Sequence, residues 1–346
     1  MNRMARPLRL FNLDLHISVI EDIRDICKRL YGDRIEITNW SVSSHNWVFG
    51  KPTADVKWIN QDTWKMIDEE RIEAFHDEYD GELQSYDGFI VTHTPVFAML
   101  FEKYNKPILI INTCRYDQPF CWTGKKDMLD SFHESLRRML NNSQIRIISN
   151  NAADQHYLYT RTGIESEHIP SLCLYTNAKY SPKKDTFIVY GDYNRIPSFE
   201  LLEERPNSGY SWDMLYSYKG IVHMPYEMST MSIFEQYWAG VPLFFPSKEC
   251  YKNYIFEGKM DFISMYNKWE DDIKEETIDE WLDRADFYLY PFIEYYDSFE
   301  HLLCLLSEWE DTMREERMEW LEAEKVKILS NWKTILDSMF MSYASK

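Results

Sequence analysis

The sequence predicts an α/β protein with two Rossmann-like domains that face a cleft, followed by C-terminal helices. Strand-like and helix-like stretches alternate through the first half of the chain, a polar stretch follows at residues 176–185, and a second alternating set comes after it. Such alternation is typical of βαβ units and a parallel sheet. Ligands of these sheets bind outside the carboxyl ends of the strands, so the residues that follow strands are the main site candidates.

The first predicted domain covers residues 1–176. Its main strand-like stretches are LRLFNLDLH, RIEITNWSV, YDGFIVTHTP, KPILIINTC and SQIRIISNN. Its helix-like stretches are ISVIEDIRDICKRLYG, VFAMLFEKYN, KKDMLDSFHESLRRMLNN and AADQHYLYTRTG. The last of these ends at Gly163, which is typical of a helix C-terminus.

The polar stretch TNAKYSPKKD is interpreted as an interdomain linker, and a second domain is predicted over residues 177–300. Its strand-like stretches are TFIVYG, IVHMPY and VPLFFPS, with an irregular region up to about Trp212 and a helix from about Ser229. From about Glu270 the pattern becomes helical and acidic. We expect the helices of residues 301–346 to pack back towards the first domain.

Composition narrows the function class. The chain has 346 residues, 45% of them hydrophobic and 16% aromatic, which is typical of a globular protein. A formal net charge of −19 opposes binding to nucleic acid, whose affinity depends on Lys and Arg. No apolar run approaches the roughly 20 residues of a membrane span. Six cysteines without a C-x-x-C pair indicate reduced thiols, so we expect a cytoplasmic protein without a metal site.

The stretch HMPYEMSTMSIFEQYWAGVPLFFPS carries the most specific signal. Glu227 lies in the loop after a strand, and Glu235 lies eight positions further on, beside the apolar stripe of the helix. Ser229 and Thr230 offer hydroxyls that can cap the helix start. Spacing alone is weak evidence, because glutamates on the acidic terminal helices repeat it; an ordinary helix start is the alternative interpretation.

This stretch resembles the donor-binding signature of GT-B glycosyltransferases, in which two glutamates separated by seven residues precede a small residue, Gly, any residue and Pro. The matching residues here are Glu227, Glu235 and the run Ala239-Gly240-Val241-Pro242. The resemblance implies that Glu227 contacts the donor sugar and that Glu235 accepts hydrogen bonds from the ribose hydroxyls of a nucleotide sugar.

General chemistry agrees with these roles. A carboxylate accepts two hydrogen bonds from a vicinal diol, and a helix N-terminus, here at Ser229, Thr230 and Met231, favours a diphosphate. The family also has a Gly-rich turn followed by basic residues after the first strand of the second domain. Here Gly191 and Arg195 follow that strand, without a clear lysine partner. Arg195 is therefore a candidate for binding the leaving diphosphate, with a solvated surface residue as the alternative.

Three candidate catalytic groups follow strands of the first domain. Asp14 and His16 end the first strand, and His93 follows the strand DGFIVT. The resemblance implies either a His or Asp base on the acceptor in inverting members, or a His that touches the donor sugar in retaining members. His93 fits the second role by position, and His16 or Asp14 fits the first. Each histidine is otherwise an ordinary loop residue.

Arg115, Asn150 and Asn151 also follow strands and are weaker candidates for binding the acceptor. An ion pair with Asp117 is the alternative for Arg115, and turn formation is the alternative for the two asparagines.

Taken with the resemblance, these observations predict a retaining, metal-independent hexosyl- or deoxyhexosyltransferase without a cofactor. It would move sugar from a nucleotide sugar to a glycan or glycoprotein. Three alternatives stay open: an inverting transferase with a His or Asp base, a nucleotide-sugar epimerase, and a non-catalytic GT-B-like binding module.

Overall fold

A computed structural model describes residues 6–206, 209–258 and 277–341. The described chain divides into two compact units. Unit 1 contains residues 6–171 and 328–341, and unit 2 contains the described residues between them. Each unit is built around one parallel sheet with helices, so the predicted α/β class with two Rossmann-like domains is confirmed. The division follows Ser171, a few residues before the predicted boundary at 176.

Unit 1 contains a six-stranded parallel sheet in the order β2-β1-β3-β4-β5-β6. Its strands are β1 (Leu8–Asp14), β2 (Ile35–Ser41), β3 (Gly88–His93), β4 (Ile108–Asn112), β5 (Ile145–Ser149) and β6 (Glu167–His168). The central strands are apolar and almost fully buried, as expected for a parallel sheet covered by helices on both faces. Asp14, His93 and Asn112 end adjacent strands and lie at the same edge of the sheet.

The helices of unit 1 alternate with these strands. They are α1 (Ile17–Tyr31), α2 (Glu69–Leu83), α3 (Phe120–Thr123), α4 (Lys126–Asn141) and α5 (Ala152–Thr162). Helix α5 ends at Gly163, whose φ of 71° confirms the predicted C-terminal glycine. Asn151 caps its start by accepting a hydrogen bond from the backbone N–H of Asp154.

The prediction of a helix over VFAMLFEKYN was wrong. The segment forms two short 3₁₀ helices, Pro95–Leu100 and Glu102–Tyr104. Five of the six side chains of the first are buried, so this segment has no polar face to expose. Contacts on all its sides decide its conformation more than local helix propensity does.

Unit 2 contains a five-stranded parallel sheet in the order β11-β10-β9-β7-β8. Its strands are β7 (Phe187–Tyr190), β8 (Leu202–Glu204), β9 (Ile221–His223), β10 (Leu243–Pro246) and β11 (Ile293–Tyr296). Its helices are α6 (Trp212–Leu215), α7 (Met231–Trp238), α8 (Lys248–Phe256), α9 (Ile278–Leu282), α10 (Asp286–Leu289), α11 (Phe299–Glu308) and the first part of α12 (Arg314–Leu336).

Two strands of unit 2 correct the sequence analysis. Strand β8 lies in the region interpreted as irregular, and β11 interrupts the region interpreted as helical from about Glu270. That region begins within residues 259–276, outside the described residues. Strand β11 pairs with β10. Only two of its four side chains are buried, so its hydrophobic pattern resembles that of a surface helix.

The stretch interpreted as a linker is held against unit 2. The backbone N–H of Tyr180 donates to the carbonyl of Ala239 at 3.1 Å, and its hydroxyl donates to the carbonyl of Lys219 at 2.8 Å. The stretch is therefore a packed part of this unit.

Candidate functional site

The loop between β9 and α7 carries the predicted donor-binding residues of unit 2, and neighbouring elements hold its backbone. The hydroxyl of Tyr251 donates to the carbonyl of Pro225 at 2.9 Å. The backbone N–H of Asp286 donates to the carbonyl of Met228 at 3.0 Å. These bonds fix the path of the loop on both sides of Glu227.

Helix α7 starts as the sequence predicted. Thr230 is the N-cap, and its hydroxyl accepts from the backbone N–H of Ile233 at 3.4 Å. Ser229 and Thr230 are half-buried beside the helix start, whereas Met231 is buried. The half-buried Glu227 precedes them, and its Oε1 accepts from the backbone N–H of Met228 at 3.0 Å. A carboxylate and a helix N-terminus thus lie at one end of α7.

Glu235 makes two hydrogen bonds that the sequence did not predict. The hydroxyl of Tyr175 donates to Oε1 at 2.5 Å, and the indole N–H of Trp212 donates to Oε2 at 3.1 Å. Burial raises the pKa of Glu235 to about 7, although both hydrogen bonds favour the charged form. Burial therefore favours the protonated form of this carboxyl group more than in an exposed glutamate.

Gly191 and Arg195 follow β7. Gly191 has a φ of 127°, and a Cβ built on it would lie 2.7 Å from the Cβ of Met224. The position therefore requires glycine for both conformation and space. Arg195 Nε lies 3.0 Å from Asp192 Oδ2, so its charge already has a partner close by in the sequence.

The three candidate catalytic groups of unit 1 lie at the carboxyl ends of β1 and β3. The His16 and His93 rings stack with their centroids 5.7 Å apart. His93 Nδ1 is 2.9 Å from Thr94 Oγ1, whereas His16 Nδ1 has no partner among the described residues. Burial lowers the pKa of His16 to about 4 and that of His93 to about 3. Both rings are therefore neutral at physiological pH, and the lowered pKa values make them weaker proton acceptors than an ordinary histidine.

Asp14 is fully buried, unlike the two half-buried histidines. Its Oδ1 accepts from the hydroxyl of Ser41 at 2.9 Å, and burial raises its pKa to about 7. A general base must reach the proton that it abstracts. In this arrangement Asp14 connects β1 to β2 through Ser41. The two half-buried histidines are more accessible to a substrate than Asp14 is.

Arg115, Asn150 and Asn151 are brought together in a buried network. Arg115 Nη1 lies 2.9 Å from Asp154 Oδ1, so its ion-pair partner is Asp154 and not Asp117 as the alternative interpretation had it. The Asn151 amide donates to Asp154 Oδ2 at 2.8 Å and to Asn150 Oδ1 at 2.9 Å. This network holds the N-terminus of α5 at the sheet edge that carries the two histidines.

Two further findings concern metals and membranes. Among the described residues, no group of three or more His, Cys, Asp or Glu side chains is arranged to hold a metal ion. Within the same part of the chain, no helix is both long enough and apolar enough to cross a membrane.

Sequence reasoning missed the side chains that surround Glu235. Tyr175 was assigned to the region before the linker, and Trp212 to the end of the irregular region. Arg205 was missed because β8, which it follows, was interpreted as irregular. Only the strand assignment could have identified Arg205 in advance, since residues after strands are the candidates in such sheets.

Comparisons with known proteins give similarity of fold at low sequence identity. No protein-family model and no curated protein matches the chain. A glycotransferase of kitacinnamycin is similar, with a TM-score of 0.48, 11% identity and coverage of 97% of this chain and 100% of its own. The calicheamicin glycosyltransferase CalG4 has a TM-score of 0.47, 9% identity and coverage of 96% and 98%.

A third similar structure is named as a UDP-N-acetylglucosamine 2-epimerase of Listeria monocytogenes, with a TM-score of 0.42, 10% identity and coverage of 81% and 92%.

Proposed function

We propose that the protein is a GT-B glycosyltransferase that moves a hexose or deoxyhexose from a nucleotide sugar to a glycan or glycoprotein acceptor. Unit 2 would bind the donor and unit 1 the acceptor, without a metal ion. The observation that carries this proposal is the position of Glu227 and Glu235 on the exit loop and first turns of α7, at the carboxyl end of a parallel strand. The resemblance of the sequence motif assigns donor recognition to these two residues.

The neighbours of Glu227 and those of Glu235 suit different parts of a nucleotide sugar. Glu227 lies beside the N-terminus of α7, where backbone N–H groups favour an anion. Glu235 has aromatic neighbours, Tyr175 and Trp212, whose donors already satisfy both carboxylate oxygens. The ribose hydroxyls of a bound nucleotide would compete with these donors for Glu235, so we expect their hydrogen bonds to rearrange on binding.

Retention of anomeric configuration is part of the proposal. In this role His93 contacts the donor sugar, and no separate base acts on the acceptor hydroxyl. In the inverting alternative His16 would instead accept the acceptor proton, a role that its pKa of about 4 makes less favourable. NMR of the product sugar distinguishes the two, because retention gives the anomer of the donor and inversion gives the opposite one.

A thermal-shift panel tests the donor site directly. Wild type and Glu235→Ala are heated with UDP, GDP, dTDP, ADP and CMP. A ligand at about 100 times its dissociation constant adds roughly 2.7 kcal/mol of stability. We expect a shift with one nucleotide in the wild type and a much smaller shift in the variant.

Glu308→Ala is the matched control. With Glu300 it forms another pair at the same spacing, and its side chain is exposed on α11. It should leave the nucleotide shift unchanged. Absence of a shift with every nucleotide in the wild type would contradict the proposal and favour a non-catalytic module. Conversion of a nucleotide sugar into another one without acceptor would favour an epimerase.

A further inference from the structure

The guanidinium of Arg205 contacts two aromatic rings at the carboxyl end of β8. Its Cζ lies 4.5 Å from the centroid of the Tyr190 ring and 5.5 Å from that of Tyr210. Its Nη1 donates to the hydroxyl of Tyr210 at 3.1 Å. Cation–π contacts of this kind fix the orientation of a guanidinium while its edges stay available for hydrogen bonds.

Arg205 differs from the other cations that follow strands of this sheet, because no carboxylate of the described residues forms an ion pair with it. Arg195 after β7 is paired with Asp192. Lys248 after β10 is paired with Asp283 at 2.5 Å. The segment from residue 221 to residue 247, which contains both glutamates and the start of α7, has no Lys or Arg at all.

Contacts within unit 2 connect Arg205 to the glutamate site. Tyr190, which Arg205 covers, ends β7 opposite His223, and their ring centroids are 5.4 Å apart. His223 Nε2 is 2.6 Å from Oε1 of Gln236, the neighbour of Glu235 on α7. Burial raises the pKa of Tyr190, and the charges of Arg205 and Glu235 act on that hydroxyl in opposite senses.

The chain that follows Arg205 returns to the same glutamate. Tyr210 contacts the guanidinium, and Trp212, two positions later, donates its indole N–H to Glu235. Tyr210 thus contacts Arg205, and Trp212 contacts Glu235.

We propose that Arg205 is the residue that neutralises and orients the phosphate groups of the nucleotide donor, in place of Arg195. This inference rests on the proposed function, because it concerns the same site. A guanidinium has five N–H donors, of which the structure assigns one to Tyr210, so two parallel bonds to a phosphate remain possible. In a chain with a net charge of −19, a fixed cation that no described carboxylate pairs with is the group that a diphosphate needs.

Calorimetric titration separates phosphate recognition from nucleoside recognition. UDP, GDP, dTDP, ADP and CDP are titrated into the wild type. The nucleoside that corresponds to the diphosphate that binds is then titrated as well. Charge-assisted hydrogen bonds contribute enough that Arg205→Gln should weaken diphosphate binding about 10- to 100-fold. Nucleoside affinity should change less than about threefold, because the nucleoside has no phosphate.

Two further variants complete the test. Arg205→Lys should give an intermediate loss, since an ammonium keeps the charge but cannot make the two parallel bonds. Arg195→Gln is the matched control and should leave diphosphate affinity nearly unchanged. Unaltered diphosphate binding by Arg205→Gln, or an equal loss of nucleoside and diphosphate binding, would overturn the assignment of Arg205. A wild type that binds none of the diphosphates would overturn the proposed function itself, and with it this inference.

Discussion

The imidazole rings of His16 and His93 are stacked, with their centroids 5.7 Å apart and their planes 20° apart. The two residues are far apart in sequence and lie at the carboxyl ends of adjacent strands of one parallel sheet. Burial keeps both rings neutral, and His93 also lies close enough to His16 for a charge on either to disfavour a charge on the other. Two neutral imidazoles at one sheet edge are available for hydrogen bonds to sugar hydroxyls.

The lowered pKa values make stability depend on pH. A group whose pKa is lower in the folded state stabilises the fold above its unfolded pKa, and this contribution is lost as the pH falls towards the folded value. For His93 the loss begins near pH 6.5 and should be on the order of 2 kcal/mol at pH 5. Denaturant unfolding of the wild type and His93→Asn at pH 7, 6 and 5 measures it.

Asparagine is the appropriate replacement, because His93 has a φ of 63° and Asn tolerates that conformation. The free energy of unfolding should fall less steeply with acidification in His93→Asn than in the wild type. Parallel curves for the two proteins would show that folding does not lower the pKa of His93.

Glu235 should have the opposite pH dependence. Its folded pKa is raised to about 7, so its contribution is complete below the unfolded value near 4.5 and is lost as the pH rises through 7. Relative to Glu235→Gln, the wild type should lose on the order of 2 kcal/mol of stability between pH 4.5 and pH 7. Unfolding of both proteins over that range checks this, and a constant difference between them would contradict it.

Tyr175→Phe offers an independent check on the same carboxyl group. Removing the hydroxyl removes a donor that favours the charged form, so the pKa of Glu235 should rise further. The free energy of unfolding should therefore decrease at a higher pH in Tyr175→Phe than in the wild type. An unchanged pH dependence would mean that Tyr175 does not stabilise the charged form of Glu235 in solution.

The Arg115–Asp154 ion pair should contribute strongly to stability. Both side chains are almost fully buried, with exposed fractions of 9% and 3%. Arg115→Met would leave a buried carboxylate without its cation, which typically costs about 3–5 kcal/mol. Thermal and denaturant unfolding measure the loss. Arg138→Met removes an ion pair whose arginine side chain is 56% exposed and should cost at most about 1 kcal/mol. Equal losses of unfolding free energy in the two variants would show that burial does not strengthen the contribution of the Arg115–Asp154 pair.

Gly191→Ala should destabilise unit 2 and weaken nucleotide binding. The new Cβ would lie 2.7 Å from the Met224 side chain and 2.9 Å from its carbonyl oxygen, so the turn after β7 has to move. Gly163→Ala is the control, because it also has a positive φ but no atom within 4 Å of the new Cβ. We expect the free energy of unfolding to fall by about 1–2 kcal/mol in the control and by clearly more in Gly191→Ala. Denaturant unfolding of the three proteins measures both losses.

The fold class and the edge positions of the candidate residues followed from the sequence. Buried parallel strands are short apolar runs, and the residue after each run identifies the sheet edge, as at Asp14 and His93. The start of α7 was equally predictable, because a capping threonine precedes an apolar helical pattern. These signals are local in the chain.

The contacts of the candidate groups were decided by tertiary structure. Glu235 meets a tyrosine 60 positions away and a tryptophan 23 positions away, and Arg115 meets Asp154 instead of the nearby Asp117. Arg205 became a candidate only when β8 placed it at the sheet edge. The sequence determined which residues reach the carboxyl ends of the strands, because hydrophobic period and capping act over a few residues. The fold alone decided their partners and protonation, because burial and hydrogen bonding depend on segments that are distant in the chain.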